Sequence, residues 1–120
     1  MENSQLIIIA AIIIFFLLKR LGQISPQKAR ELKDAGAVII DVRSAEEYAD
    51  GHVEDAINVP LDQLGEKIAS VAPDRQQALL VYCLSGTRSA LARRILRGRQ
   101  YTNVYNLGSI YRAKSILNRE

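Results

Sequence analysis

The chain is poor in the residues from which disulfides and metal sites are made. It has one cysteine, Cys83, and one histidine, His52, in 120 residues. A lone cysteine excludes an internal disulfide framework and a cysteine-only metal site, and a single histidine offers no cluster to replace them. Net charge is scarce too: the balance is +3, and Lys19 and Arg20 carry much of it. Nothing therefore argues for a nucleic-acid partner. No internal repeat is present, and the one compositional bias is an isoleucine-rich stretch near the N-terminus. Covalent chemistry without metal or cofactor fits this inventory.

A chain of 120 residues has room for one small domain and an appendage. The apolar residues are unevenly spread: from Leu6 to Leu18 no side chain is polar, and Lys19-Arg20 closes the run. As a soluble helix it would be apolar all round, which a domain this small cannot bury. A cleaved export signal would begin with basic residues and end at a small-residue cleavage site. Here the basic pair follows the apolar core, although an uncleaved or unusual export signal stays open. A membrane anchor over residues 1–21 fits the pattern, with the lipid bilayer as partner. A helix from Leu6 to Leu21 rises about 24 Å against a hydrocarbon core of about 30 Å. Snorkelling basic side chains and local bilayer thinning absorb that deficit. Lys19 and Arg20 then stay on the cytoplasmic side, and with them the domain of residues 22–120. That compartment is reducing, so an unpaired cysteine persists there. The alternative is a periplasmic or exported domain.

Beyond a minimal linker, Gly22-Gln23-Ile24, with room for a short first strand, the pattern alternates. Ser25 and Pro26 open a helix over residues 26–35, and Gly36 closes it. A β-branched run predicts a strand at 37–41, and Ser44 caps a turn of helix through Tyr48. A strand over 56–59 stops at Pro60, and Leu61, Leu64, Ile68 and Val71 recur at helical spacing. A central strand at 78–82 leads to a helix on which Ala90, Leu91, Ile95 and Leu96 are expected to face the core. A strand at 103–105 and a helix at 109–117 complete the chain. This order predicts an α/β domain, its central sheet mostly parallel and flanked by helices, preceded by one N-terminal transmembrane helix. Working residues in such sheets lie beyond the carboxyl ends of the strands. Asp41-Val42-Arg43 and the segment from Cys83 to Arg88 both fall there.

Cys83 opens the run Cys83-Leu84-Ser85-Gly86-Thr87-Arg88-Ser89. Small residues let backbone N–H groups turn inward, the following helix adds its positive end, and Arg88 adds a permanent charge. All three favour thiolate over thiol, so Cys83 is expected to be more acidic than a free cysteine. The plain alternative is a buried cysteine that serves as a small hydrophobe.

Three segments in order carry a family resemblance. They are the Cys-x-x-Gly-x-Arg-Ser loop at Cys83, Asp41-Val42-Arg43 with Glu47-Tyr48, and Gly51-His52-Val53 with Ala56-Ile57-Asn58-Val59-Pro60. Together they resemble a single-domain rhodanese, a thiosulfate or persulfide sulfurtransferase, over roughly residues 24–107. The resemblance implies that Cys83 takes a sulfane sulfur from a small anionic donor and passes it, as a persulfide, to a thiol or cyanide acceptor. Leu84, Ser85, Gly86, Thr87, Arg88 and Ser89 would then surround the sulfur. Related phosphatases and arsenate reductases carry one residue more between cysteine and arginine, whereas four stand between Cys83 and Arg88. The tighter loop suits a single sulfur atom. Ser85, Thr87 and Ser89 are read as loop formers and helix caps rather than nucleophiles. Asp41, Arg43 and His52 are read as structural, with Asp41 taking backbone hydrogen bonds and Arg43 paired with Glu47. Arg93, Arg94, Arg97 and Arg99 read as a solvated basic face. The family's tryptophan-bearing ending is replaced by Leu107-Gly108-Ser109-Ile110-Tyr111, and Tyr111 is expected to take over the packing. A membrane-tethered binding module with little turnover is the reading from another class.

Overall fold

The computed structural model describes residues 2–118. Its first helix, α1 (Glu2–Leu21), covers the apolar run. Leu6, Ile9, Ile13 and Phe16 are all exposed rather than packed on the rest of the chain. The thirteen apolar residues from 6 to 18 rise about 20 Å as a helix. Among the described residues no helix is long and apolar enough to cross a membrane, so the expected transmembrane helix is not supported.

Four parallel strands form the sheet: β1 (Val38–Asp41), β2 (Ile57–Asn58), β3 (Leu79–Cys83) and β4 (Val104–Ser109), in the spatial order β2-β1-β3-β4. The helices between them are α2 (Pro26–Asp34), α3 (Ala45–Ala49), α4 (Leu64–Val71) and α5 (Thr87–Gly98), with α6 (Ile110–Leu117) last. A 3-10 turn at Leu61–Gln63 leads into α4. Because strand side chains alternate, the sheet has two apolar faces and each needs a cover. Ile40, Leu79 and Val81 meet Leu64 and Ile68 of α4 and Ala92 and Leu96 of α5. On the other side Ile39, Leu80 and Tyr82 meet Ala29 of α2 and Ala113 and Ile116 of α6. Every residue of β3 is buried, as expected of the central strand.

Sequence and structure also differ within the elements of the domain. The expected strand at 56–59 shrinks to Ile57–Asn58: Ala56 N–H turns back to Val53 O, and beyond Val59, whose N–H still pairs with Asp41 O, Pro60 has no N–H to offer. No strand forms at residues 22–24, where Ile24 N–H makes one bond to Asn106 O at 2.9 Å. β4 runs to Ser109 rather than stopping at 105. A register shift opposite Val81 and Tyr82 leaves Leu107 without a strand partner, and Gly108 follows it at φ +89°, which suits glycine. On α5 the core-facing residues are Ser89, Ala92 and Leu96. Ile95 is half-buried, while Ala90 and Leu91 are exposed, which corrects the expected face.

Candidate active site

β3 ends at Cys83 and α5 starts at Thr87, so three residues turn the chain from sheet to helix. The turn is possible because Gly86 adopts φ +95°, a left-handed conformation that costs other residues about 1–2 kcal/mol. Gly86 itself is the N-cap of α5, and no side chain caps the helix, contrary to the capping role expected of Ser85, Thr87 and Ser89. The turn brings Gly86 N–H to 2.9 Å from Cys83 Sγ and places Ser89 Oγ at 3.5 Å from it. Burial pushes the Cys83 thiol up, but it is outweighed. Donation by the Ser89 hydroxyl and by the backbone N–H groups of Ser89, Gly86 and Ser85 leaves the thiol more acidic than an ordinary cysteine. Cys83, Gly86 and Ser89 are buried, Leu84, Ser85 and Thr87 are exposed, and Arg88 is intermediate.

The two arginines are bound differently from the expected pairing. Arg43 does not meet Glu47. Its Nε and Nη2 donate to the Asp41 carboxylate, the latter at 2.7 Å, and Nη2 also donates to Gly51 O at 2.7 Å. Proximity explains the choice, since Arg43 N–H already donates to the same Asp41 oxygen that Nε uses. Asp41 is fully buried and takes a further bond from Tyr82 Oη at 2.7 Å, while that hydroxyl accepts from Val53 N–H. Its partners are thus mostly side chains rather than the expected backbone groups.

Glu47 instead receives Arg88 in a two-pronged contact, Nη1 to Oε1 at 2.7 Å and Nη2 to Oε2 at 2.9 Å. Arg88 holds the Glu47 carboxyl down to about 2, with help from Ser44 against the desolvation that raises it. The capping box between Ser44 and Glu47 fixes that carboxylate at the start of α3. Arg88 therefore ties the cysteine loop to α3, and its charge is largely met.

His52 stands apart from the cysteine loop. Its ring stacks on Tyr48 with centroids 3.7 Å apart, and Nδ1 lies 3.0 Å from Tyr48 O. Tyr111 is 73% exposed, so it does not take over the missing tryptophan's packing; its neighbour Ile110 is the buried residue. Tyr111 lines a cleft of about 190 Å³ with Arg43, Glu47, Asp50, Leu84 and Lys114, among others. Lys114 and Asp50 of that cleft carried no sequence signal, since neither belongs to a motif. The loop-to-α3 tie of Arg88 spans 41 positions and was equally hidden. Among the described residues no group of three or more histidine, cysteine or carboxylate side chains is arranged to hold a metal ion.

Residues 25–112 match the rhodanese-like domain family. The thiosulfate sulfurtransferase PspE of Escherichia coli (strain K12) is 44% identical over 71 residues, covering 59% of this chain and 68% of that protein. A solved rhodanese with anions from E. coli superposes with a TM-score of 0.63 at 40% identity, covering 64% of this chain and 91% of the other. The human single-domain sulfurtransferase TSTD1 gives a TM-score of 0.65 at 29% identity, covering 76% and 92%.

Proposed function

The chain belongs to the rhodanese-like domain family, and from that membership we propose that it is a thiosulfate-type sulfurtransferase with Cys83 as its nucleophile. The Cys83 thiolate attacks the outer sulfur of thiosulfate. The S–S bond of the donor breaks, its electron pair leaves with sulfite, and Cys83 carries a persulfide. An acceptor thiolate or cyanide then attacks that outer sulfur, and the electron pair returns to Cys83 as thiolate. The two substrates alternate on one sulfur atom, so kinetics are ping-pong.

The observation that carries the reading is the 2.9 Å approach of Gly86 N–H to Cys83 Sγ inside a loop with four residues between Cys83 and Arg88. Donors gathered on one sulfur stabilise the thiolate that attacks and the thiolate that leaves. Leu84, Ser85, Gly86, Thr87, Arg88 and Ser89 form the cradle for the transferred sulfur, and Arg88 acts chiefly by fixing it against Glu47. Asp41 and Arg43 hold the strand end, and His52 braces the segment after α3.

The same reading attaches the protein to the cell membrane through residues 6–18, with the domain facing the cytoplasm. An apolar helix exposed on all sides and closed by Lys19-Arg20 supports it. Carbonate-resistant membrane fractionation and protease access to the domain from each side test the attachment and its direction.

The enzymatic test is incubation of the full chain, in mild detergent, with thiosulfate, followed by intact-mass analysis. The expected result is a gain of one sulfur, absent in Cys83→Ser and discharged by cyanide as thiocyanate. A folded protein that gains no sulfur would overturn the reading in favour of a tethering module.

A further inference from the structure

Building on the sulfur-transfer reading, we propose that the cleft beside the cysteine loop selects its acceptor, a small organic thiol bearing a carboxylate, and that Lys114 binds that carboxylate. The cations nearest the loop are already engaged. Arg43 is bound to Asp41 and Gly51 O, and Arg88 is bound to Glu47 through both prongs. Lys114 is different. It projects from α6 into the same cleft, and among the described residues no carboxylate lies within 4 Å of its ammonium. A methyl group placed on Gly51 would sit 3.9 Å from Lys114 Nζ, so the ammonium reaches across the cleft from α6 to the end of α3. Of the two carboxylates that line the same cleft, Glu47 is held by Arg88, and Asp50 makes no ion pair with Lys114.

The other walls suit carbon. Leu84, directly after Cys83, and Ile110 and Tyr111 of α6 give the cleft an apolar side. Thiosulfate and cyanide have no hydrocarbon to place there. The volume of about 190 Å³ falls below the roughly 300–1,000 Å³ of sites for drug-sized ligands, so the occupant is small. An alkyl thiol with a carboxylate uses both features. Its carboxylate meets Lys114, its chain lies against Leu84 and Tyr111, and its thiolate attacks the outer sulfur of the Cys83 persulfide. The S–S bond to Cys83 breaks, the thiol leaves as its own persulfide, and Cys83 is again thiolate.

Two acceptors of similar size separate the charge from the thiol: 3-mercaptopropionate and neutral 2-mercaptoethanol. With full-length protein preloaded by thiosulfate, Lys114→Gln is expected to raise the KM for 3-mercaptopropionate about fivefold. The KM for 2-mercaptoethanol and the kcat with either thiol should stay within twofold, and Lys114→Arg should restore the low KM. Comparing variant with wild type for each thiol cancels the difference in their intrinsic basicity. A KM for 3-mercaptopropionate that does not move, or a rise shared equally by both thiols, would overturn the assignment. Intact mass keeps the two readings apart. If wild-type Cys83 gains no sulfur, sulfur transfer itself is wrong; if it does and the KM values stay level, only the role of Lys114 is.

Discussion

Ser89 Oγ lies 3.5 Å from Cys83 Sγ and 3.1 Å from Gly86 O, so one hydroxyl proton faces two acceptors. When Cys83 is a thiol, its proton can point to Ser89 and the Ser89 proton to Gly86 O. When Cys83 is a thiolate, the Ser89 proton turns to sulfur. The hydroxyl thus favours the charged form through a charge-assisted bond worth about 1.5–3 kcal/mol. Ser89→Ala is expected to move the alkylation pH profile of Cys83 toward the alkaline side and slow iodoacetamide labelling at neutral pH about tenfold. A profile that overlays the wild type would mean that the backbone N–H groups alone set the thiol's acidity.

Arg88 and Glu47 give a second pH dependence, and it concerns folding rather than sulfur. The Glu47 carboxyl titrates at about 2 in the folded protein against an ordinary 4.5, first because Arg88 donates to it and then because Ser44 does. Between those values the unfolded chain binds a proton that the folded one does not. Stability contributed by the pair is therefore complete above about 4.5 and is lost as pH falls toward about 2. Urea midpoints measured across that window should fall in the wild type and fall less steeply in Glu47→Gln.

Much of the site was legible because it is local in sequence. Cys83, Gly86 and Ser89 lie within seven residues, and strand, turn and helix signals surround them. The sheet was legible too, since β3 and β1 up to its closing Asp41 are continuous apolar runs. Pairing was not. Arg43 had a carboxylate two residues behind it and another four ahead, and periodicity does not say which one the buried strand end presents. The face of α5 was misread for a related reason. Apolar counting favours Leu91 and Ala90, whereas the buried face holds Ser89, whose hydroxyl is satisfied at Gly86 O and Cys83 Sγ. The strand expected at 103–105 continues to Ser109, past a bulge at Leu107 that no local signal announced.

Beneath the loop, Asp41, Arg43 and Tyr82 form a buried polar group in which each removal leaves a different orphan. Asp41→Asn takes the charge from a carboxylate that faces Arg43, itself only 5% exposed, and is expected to cost about 3–5 kcal/mol. Tyr82→Phe keeps that ion pair but leaves Val53 N–H without an acceptor and Asp41 with one donor fewer, a loss of about 1–3 kcal/mol. Chemical denaturation of both variants checks the order. If Tyr82→Phe proved the more damaging, the hydroxyl rather than the ion pair would be the centre of the network.

Gly86 tests whether the loop's shape and its chemistry are one property. At φ +95° an added methyl group is strained by about 1–2 kcal/mol, and the chain relieves this by rotating the peptide that now donates to Cys83 Sγ. Gly86→Ala should therefore lose activity out of proportion to stability. Losing a preorganised donor of this kind costs about a hundredfold in kcat, whereas a drop of 1–2 kcal/mol leaves most molecules folded. The measurement is kcat for thiocyanate formation beside a urea unfolding curve. An activity loss that merely tracked the unfolded fraction would mean that the Gly86 N–H only shapes the turn. A large kcat loss in a folded protein would place that N–H among the groups that stabilise the reacting sulfur.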